Sequence, residues 1–186
     1  RARGGDEPFG CASGCSSRRF TPDAVQDAAS QIDTTLGMGC APSLLVFHAT
    51  ASLDAHALRR ELRRRYPNSV LHGASSCRGV MTERGSCAPE HAHALALFAI
   101  VDPGGVYSSG LAPLPVVSAD APACEEAARH AGEQAALRAK ASVEAAVGGV
   151  RPDVLVMSAT PGCEEPVLRG VALVFPGVPV FGGSAA

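Results

Sequence analysis

Two short segments concentrate hydroxyls and glycines in a pattern suited to holding a small polar molecule. The first couples Thr50 with HGASSC, which carries Gly73, Ser75, Ser76 and Cys77; the second couples Thr160 with FGGSA, which carries Gly182, Gly183 and Ser184. Glycine lets a backbone approach a ligand closely, and hydroxyls with free N–H groups supply donors and acceptors. The same residue types also serve plain tight turns, so ligand binding and turn formation both stay open. Acids follow each threonine, Asp54 in one case and Glu164 with Glu165 in the other. At a helix start they favour the dipole and repel an anion, which disfavours phosphate and leaves an ammonium or amide as the better fit.

A nucleophilic reading can also be drawn, with Cys77, Ser75 or Ser76 attacking and His48 or His72 as base. The G-x-S-x-G elbow of hydrolases is missing, and strand alternation turns His72 away, so a turn cysteine is preferred. Cys87, His91 and His93 carry metal-binding side chains, but a fourth ligand is lacking and Leu95 and Leu97 continue the same face. No metal site, catalytic residue or cofactor is therefore assigned. Cys11 and Cys15 fit a surface pair, a disulfide or a metal clip equally well. Arg59, Arg60, Arg63, Arg64 and Arg65 crowd one stretch, offset only by Glu61. A solvated helix face is the plain reading; a docking surface at Arg59, Arg60, Arg63 and Arg64 is the sharper one.

The elements that must carry these residues read as follows. Residues 1–20 form an irregular tail. Thr21 caps a helix with Pro22 at its first position, and Val25, Ala28, Ala29, Ile32 and Leu36 follow at helical spacing before Gly37. SLLVFHA (43–49) is a strand buried on both faces, 53–66 a helix turning Leu58, Leu62 and Tyr66 inward, and SVLHGAS (69–75) a second strand; together they make a βαβ unit. The stretches 77–82, 91–101 and 106–114 predict an antiparallel meander. An Ala-rich helix over 120–147 should pack on a sheet face.

An internal repeat ties both segments together. LLVFHAT from Leu44 aligns with VLVMSAT from Val154, matching Thr50 with Thr160, Leu58 with Leu168 and Arg59 with Arg169. After one deletion Pro67 meets Pro176, Gly73 meets Gly182 and Ser75 meets Ser184. The expected fold is α/β over 21–186: two pseudo-repeated βαβ units, an intervening antiparallel meander, and mixed sheets flanked by helices.

Composition excludes several classes. A chain of 186 residues with 46% hydrophobic residues is long and apolar enough for its own core. A net charge of −2 offers no basic field for nucleic acid, and no apolar run is long enough to span a membrane. Seven cysteines, an odd number without scaffold spacing, read as mostly reduced and intracellular. The start at Arg1 fits an artificial boundary or the stub left by a removed targeting segment, so the compartment is cytoplasmic or organellar, a plastid included.

The stretch SLLVFHATASLDAHALRRELRRRYPNSVLHGASSCRGVMT, with Gly73, Ser75 and Gly79 in a Gly-x-Ser-x-x-x-Gly turn, and VPVFGGSA, with Gly182, Gly183 and Ser184, resemble the N-terminal region of the FIST domain. The likeness runs from about Thr21 to Ala186. It implies a sensory module for small, amino-acid-like ligands without established catalytic residues. Members usually continue into a companion region, whereas this chain ends at Ala186. The leading expectation is thus a non-enzymatic domain binding a small polar ligand through Thr50, Gly73, Ser75, Ser76, Thr160, Gly182, Gly183 and Ser184. The alternative is a structural accessory subunit of a larger protein complex that keeps the fold as scaffold, and the third is a Cys/Ser hydrolase.

Overall fold

A computed structural model describes residues 9–77, 79–83, 85–87, 93–114 and 121–185. The chain forms two compact units that divide between Tyr107 and Ser108. The first holds β1 (Gly10–Ser16), α1 (Thr21–Leu36), β2 (Leu44–Thr50), α2 (Ala55–Arg65), β3 (Val70–Ser76), β4 (Val80–Thr82), β5 (Gly85–Cys87) and β6 (Leu95–Val101). The second holds α3 (Ala121–Val147), β7 (Leu155–Ala159), α4 (Glu164–Val174) and β8 (Val180–Ser184).

In the first unit a four-stranded sheet runs β1-β6-β2-β3, antiparallel except for the parallel pair β2 and β3. The largest fully buried side chains are Ile32, Leu45, Leu62, Leu95 and Leu97, so α1, α2, β2 and β6 meet in one core. Leu58 and Leu62 of α2, with Tyr66 at its C-cap, point into it at the spacing of a helix face. Asp54 caps α2 by accepting from the backbone N–H groups of His56 at 2.8 Å and Ala57 at 3.1 Å. Phe20, rather than Thr21, is the residue before α1, and Pro22 sits second in the helix.

Three expectations change here. The tail was expected to be irregular, yet Gly10–Ser16 is an edge strand paired with β6. Its sequence GCASGCS hides the strand because the residues facing α1 are small: a Cβ on Gly14 would lie 2.0 Å from the Ala28 carbonyl oxygen. The meander is also replaced. β4 and β5 form a separate short hairpin, β6 enters the main sheet between β1 and β2, and 106–114 carries no strand. Residues 78, 91 and 92 of the expected meander lie outside the described residues. The third change concerns α3, which packs on α4 and not on a sheet. Two glycines make the close crossing: a Cβ on Gly132 would stand 2.2 Å from the Val167 carbonyl oxygen, and one on Gly170 would stand 1.9 Å from that of Arg129.

The repeat is real at the level of register. β2 and β3 pair in parallel with Leu45 opposite Leu71, Phe47 opposite Gly73 and Ala49 opposite Ser75. β7 and β8 reproduce this with Leu155 opposite Val180, Met157 opposite Gly182 and Ala159 opposite Ser184. Both crossover helices have 11 residues and end alike, Tyr66 at φ −125°, ψ 69° and Phe175 at φ −125°, ψ 66°. Because α2 starts at Ala55 and α4 at Glu164, the one-residue deletion falls in the strand–helix loop and not after the helix. Leu58 therefore corresponds to Val167, and Leu168 and Arg169 move one position along; a one-residue gap in a loop costs little.

Candidate functional site

The two copies of the glycine–serine segment are put to different uses. In the first unit Thr50 is buried at 5% exposure, and its Oγ1 accepts from the Ala94 N–H at 2.9 Å and lies 3.0 Å from Ser52 Oγ. That hydroxyl is occupied in fastening β2 to the chain entering β6. Ser76 stands opposite Thr50 in register and donates to the Gly79 carbonyl, closing the turn. Gly73 lies beneath the Phe47 ring, 2.2 Å from where its Cβ would be. Of the four candidates here, only Ser75 presents an exposed hydroxyl, on the sheet face opposite to Thr50 and Ser76.

The second unit leaves the segment open. Thr160 is exposed after β7, and its carbonyl receives the Cys163 N–H at 3.0 Å as α4 begins. Gly182 is held at φ +136° with the Met157 carbonyl oxygen 1.8 Å from any Cβ, so only glycine fits. Gly183 has nothing within 4 Å of a Cβ and borders open space. Ser184 donates its hydroxyl to the Glu164 carboxylate in the first turn of α4. That bond, with the N–H groups of Glu164 and Gly162, holds the Glu164 carboxyl below its ordinary value of 4.5.

A cavity of about 320 Å³ opens at this place, lined by Met157, Glu164, Glu165, Leu168, Val180, Phe181, Gly182 and Gly183. Its lining combines apolar side chains with two carboxylates, a chemistry better matched to a cationic nitrogen than to an anion. Gly182 and Gly183, two of the expected ligand-binding residues, line this cavity, and Ser184 is bonded to Glu164 beside it. Glu164, Glu165 and Leu168 also line the cavity and were not among the expected binding residues. The readable signal is the Glu164–Glu165 pair itself, since two adjacent acids that repel an anion also attract a cation. A second cavity, of about 330 Å³, lies by Asp33, Cys40, Arg65, Tyr66 and Ser69, near the strand starts. Arg65 and Asp33 form an ion pair there.

The other candidates separate. His48 and His72 lie on the sheet face away from Ser75, and burial followed by the charge of His48 lowers the His72 pKa. Among the described residues of this sheet, Ser75 thus has no histidine on its own face. Among the described residues no group of three His, Cys, Asp or Glu side chains is arranged to hold a metal, and His91 lies outside them. The arginine face is partly neutralised: Arg60 and Arg64 reach Glu61 at 3.5 and 2.9 Å, and Arg63 donates to the Ser69 carbonyl at 2.8 Å. No helix among the described residues is long and apolar enough to cross a membrane.

Duplicated βαβ elements, each closing on a glycine–serine strand, define an α/β module with a small cavity beside the second copy. The FIST N domain model matches residues 43–186, and the chain belongs to that family, whose members are sensory modules of signal transduction. Among solved structures, a crystal structure of cyanuric acid hydrolase from A. caulinodans is similar at 12% identity, over 95% of this chain and 64% of that one, with a TM-score of 0.42. At that similarity it bears on neither the activity nor the site. No curated protein matches the chain.

Proposed function

We propose that the chain is a non-enzymatic sensory domain whose second unit binds a small amino-acid-like ligand at the carboxyl end of β8. The observation that supports this most directly is the cavity formed by Glu164, Glu165, Leu168, Phe181, Gly182 and Gly183. The ligand's ammonium faces the carboxylates, its side chain lies on Leu168 and Phe181, and its carboxylate stays at the open rim by Gly183. Calorimetry with a panel of free amino acids and simple amines tests the reading. A saturable binder is expected, weakened about tenfold or more by Glu164→Gln, in line with loss of a charge-assisted hydrogen bond. Ser184→Leu should weaken it as well while the circular dichroism spectrum is retained. Absence of any saturable heat across the panel, or binding indifferent to both substitutions, removes the reading.

The scaffold reading has one observation of its own. Val156 and Phe181 are register partners on neighbouring strands and are 52% and 64% exposed, an apolar pair that a protein partner could cover. Under that reading Arg59, Arg60, Arg63 and Arg64 add an acidic partner's contacts. Phe181→Ser would then release the chain from a larger complex on size exclusion; a chain running as a free monomer before and after the change counts against it.

A further inference from the structure

Side chains alternate across the sheet along β1. Gly14 lies under Ala28 of α1, and Ser16 Oγ donates to Asp27 Oδ2 at 2.7 Å, so Ala12, Gly14 and Ser16 face the helix. Cys11, Ser13 and Cys15 take the other face. The β4–β5 hairpin meets that face: the Ser13 hydroxyl donates to Glu83 in the hairpin turn, and Cys87 packs with Val80, Ala94 and Ala96. Ala96 is the register partner of Cys15. These contacts bring Cys15 and Cys87, 72 positions apart in sequence, to the same small apolar cluster, where the two thiols interact. The peptide at Cys15 is fixed to α1, since Gln31 accepts from its N–H at 3.1 Å and donates to its carbonyl at 2.6 Å.

We propose that Cys15 and Cys87 form an oxidation site that closes to a disulfide and staples the β4–β5 hairpin to the edge strand β1. The pairing of Cys11 with Cys15 is excluded by geometry, because four residues of extended strand span about 13 Å, well beyond the roughly 7 Å limit between bridged Cα atoms. A hydroperoxide is the oxidant. One thiol sulfur takes its oxygen to become a sulfenic acid, and the peroxide leaves as water. The second sulfur then attacks the first, forming the S–S bond, and hydroxide leaves with the second thiol's proton as another water. The two thiols lose two electrons and two protons, and hydrogen peroxide becomes two waters. Burial, the Cys15 thiol and Asp27 push the Cys87 thiol up to about 11, which slows its reaction at neutral pH because the thiolate is the reacting form, so the link should close faster as pH rises.

The proposal stands on the first unit and does not depend on the ligand cavity. Its test treats the purified chain with hydrogen peroxide, blocks remaining thiols with iodoacetamide and maps peptides without reductant. The thiol count in denaturant should fall by two from seven, with residues 15 and 87 in one linked species that dithiothreitol separates. Cys11→Ser and Cys124→Ser should keep the link, which removes ambiguity within each peptide. Cys15→Ser and Cys87→Ser should each lose it while keeping the wild-type circular dichroism spectrum. The proposal is overturned if oxidant that modifies the exposed Cys77 leaves Cys15 and Cys87 separately alkylatable, or if Cys15 is found joined to another cysteine.

Discussion

Replacing Gly170 by alanine sets helix propensity against packing, and the two predict opposite signs. Alanine in place of a mid-helix glycine gains about 1 kcal/mol from a smaller loss of backbone entropy. Against this, the new Cβ would lie 1.9 Å from the Arg129 carbonyl oxygen, 2.7 Å from the Glu133 nitrogen and 2.9 Å from the Arg129 carbonyl carbon. All three are backbone atoms of α3, so no rotamer change relieves the overlap, and the helices must part by about 1 Å or more. Overpacking of this kind costs about 1–3 kcal/mol, and a backbone clash belongs at the upper end. Gly132 makes the reciprocal approach to Val167, so parting the helices also empties that contact. The expected net effect of Gly170→Ala is a loss of about 1–2 kcal/mol, read from urea denaturation with an unchanged slope. Faster amide exchange should be confined to α3 and α4. A variant more stable than wild type by about 1 kcal/mol would mean that the glycine crossing does not hold the two helices together.

The two glycines before Ser184 should behave unlike one another: Gly182→Ala, strained by its positive φ and the Met157 carbonyl, should cost about 2–4 kcal/mol, while Gly183→Ala should change stability by less than about 1 kcal/mol. Equal effects in thermal melts would sink that distinction. Asp54→Ala should lower the melting temperature at neutral pH. The Ala57 and His56 N–H groups hold the Asp54 carboxyl below its ordinary 3.8, so its contribution is complete above that value and is lost as pH falls through the lower folded-state value. The wild-type and variant melting temperatures should therefore converge in acid, and a gap that widens there refutes the cap. Leu62→Ala, fully buried in the first unit, should cost about 2–5 kcal/mol by denaturant titration; less than about 1 kcal/mol would show that the site is not in the core. Chelation by EDTA should leave the melting temperature unchanged, and a clear drop would call for a metal site.

The sequence by itself determined the two βαβ units, because each is written in short-range terms. Helical spacing at Leu58, Leu62 and Tyr66, apolar runs at Leu44–Ala49 and Leu155–Val156, and the recurring Gly-x-Ser are all local patterns, and the duplicated register follows from them. The glycine–serine turn was legible as a candidate site for the same reason. Only the tertiary structure decided which copy is open. Thr50 is consumed by Ala94, a residue distant in sequence, whereas Thr160 is exposed. The pairing of β1 with β6 was equally hidden, since GCASGCS carries no apolar alternation and becomes a strand through α1 and β6. An Ala-rich helix fits a sheet or another helix alike, and the reciprocal approach of Gly132 and Gly170 settled the choice for α3. The same holds for Cys15 and Cys87: each looked solitary along the chain, and their meeting depends on the face β1 turns outward and on the hairpin laid across it. Spacing along a chain records what lies within a few residues, and contacts between distant strands are set by packing that no local period encodes.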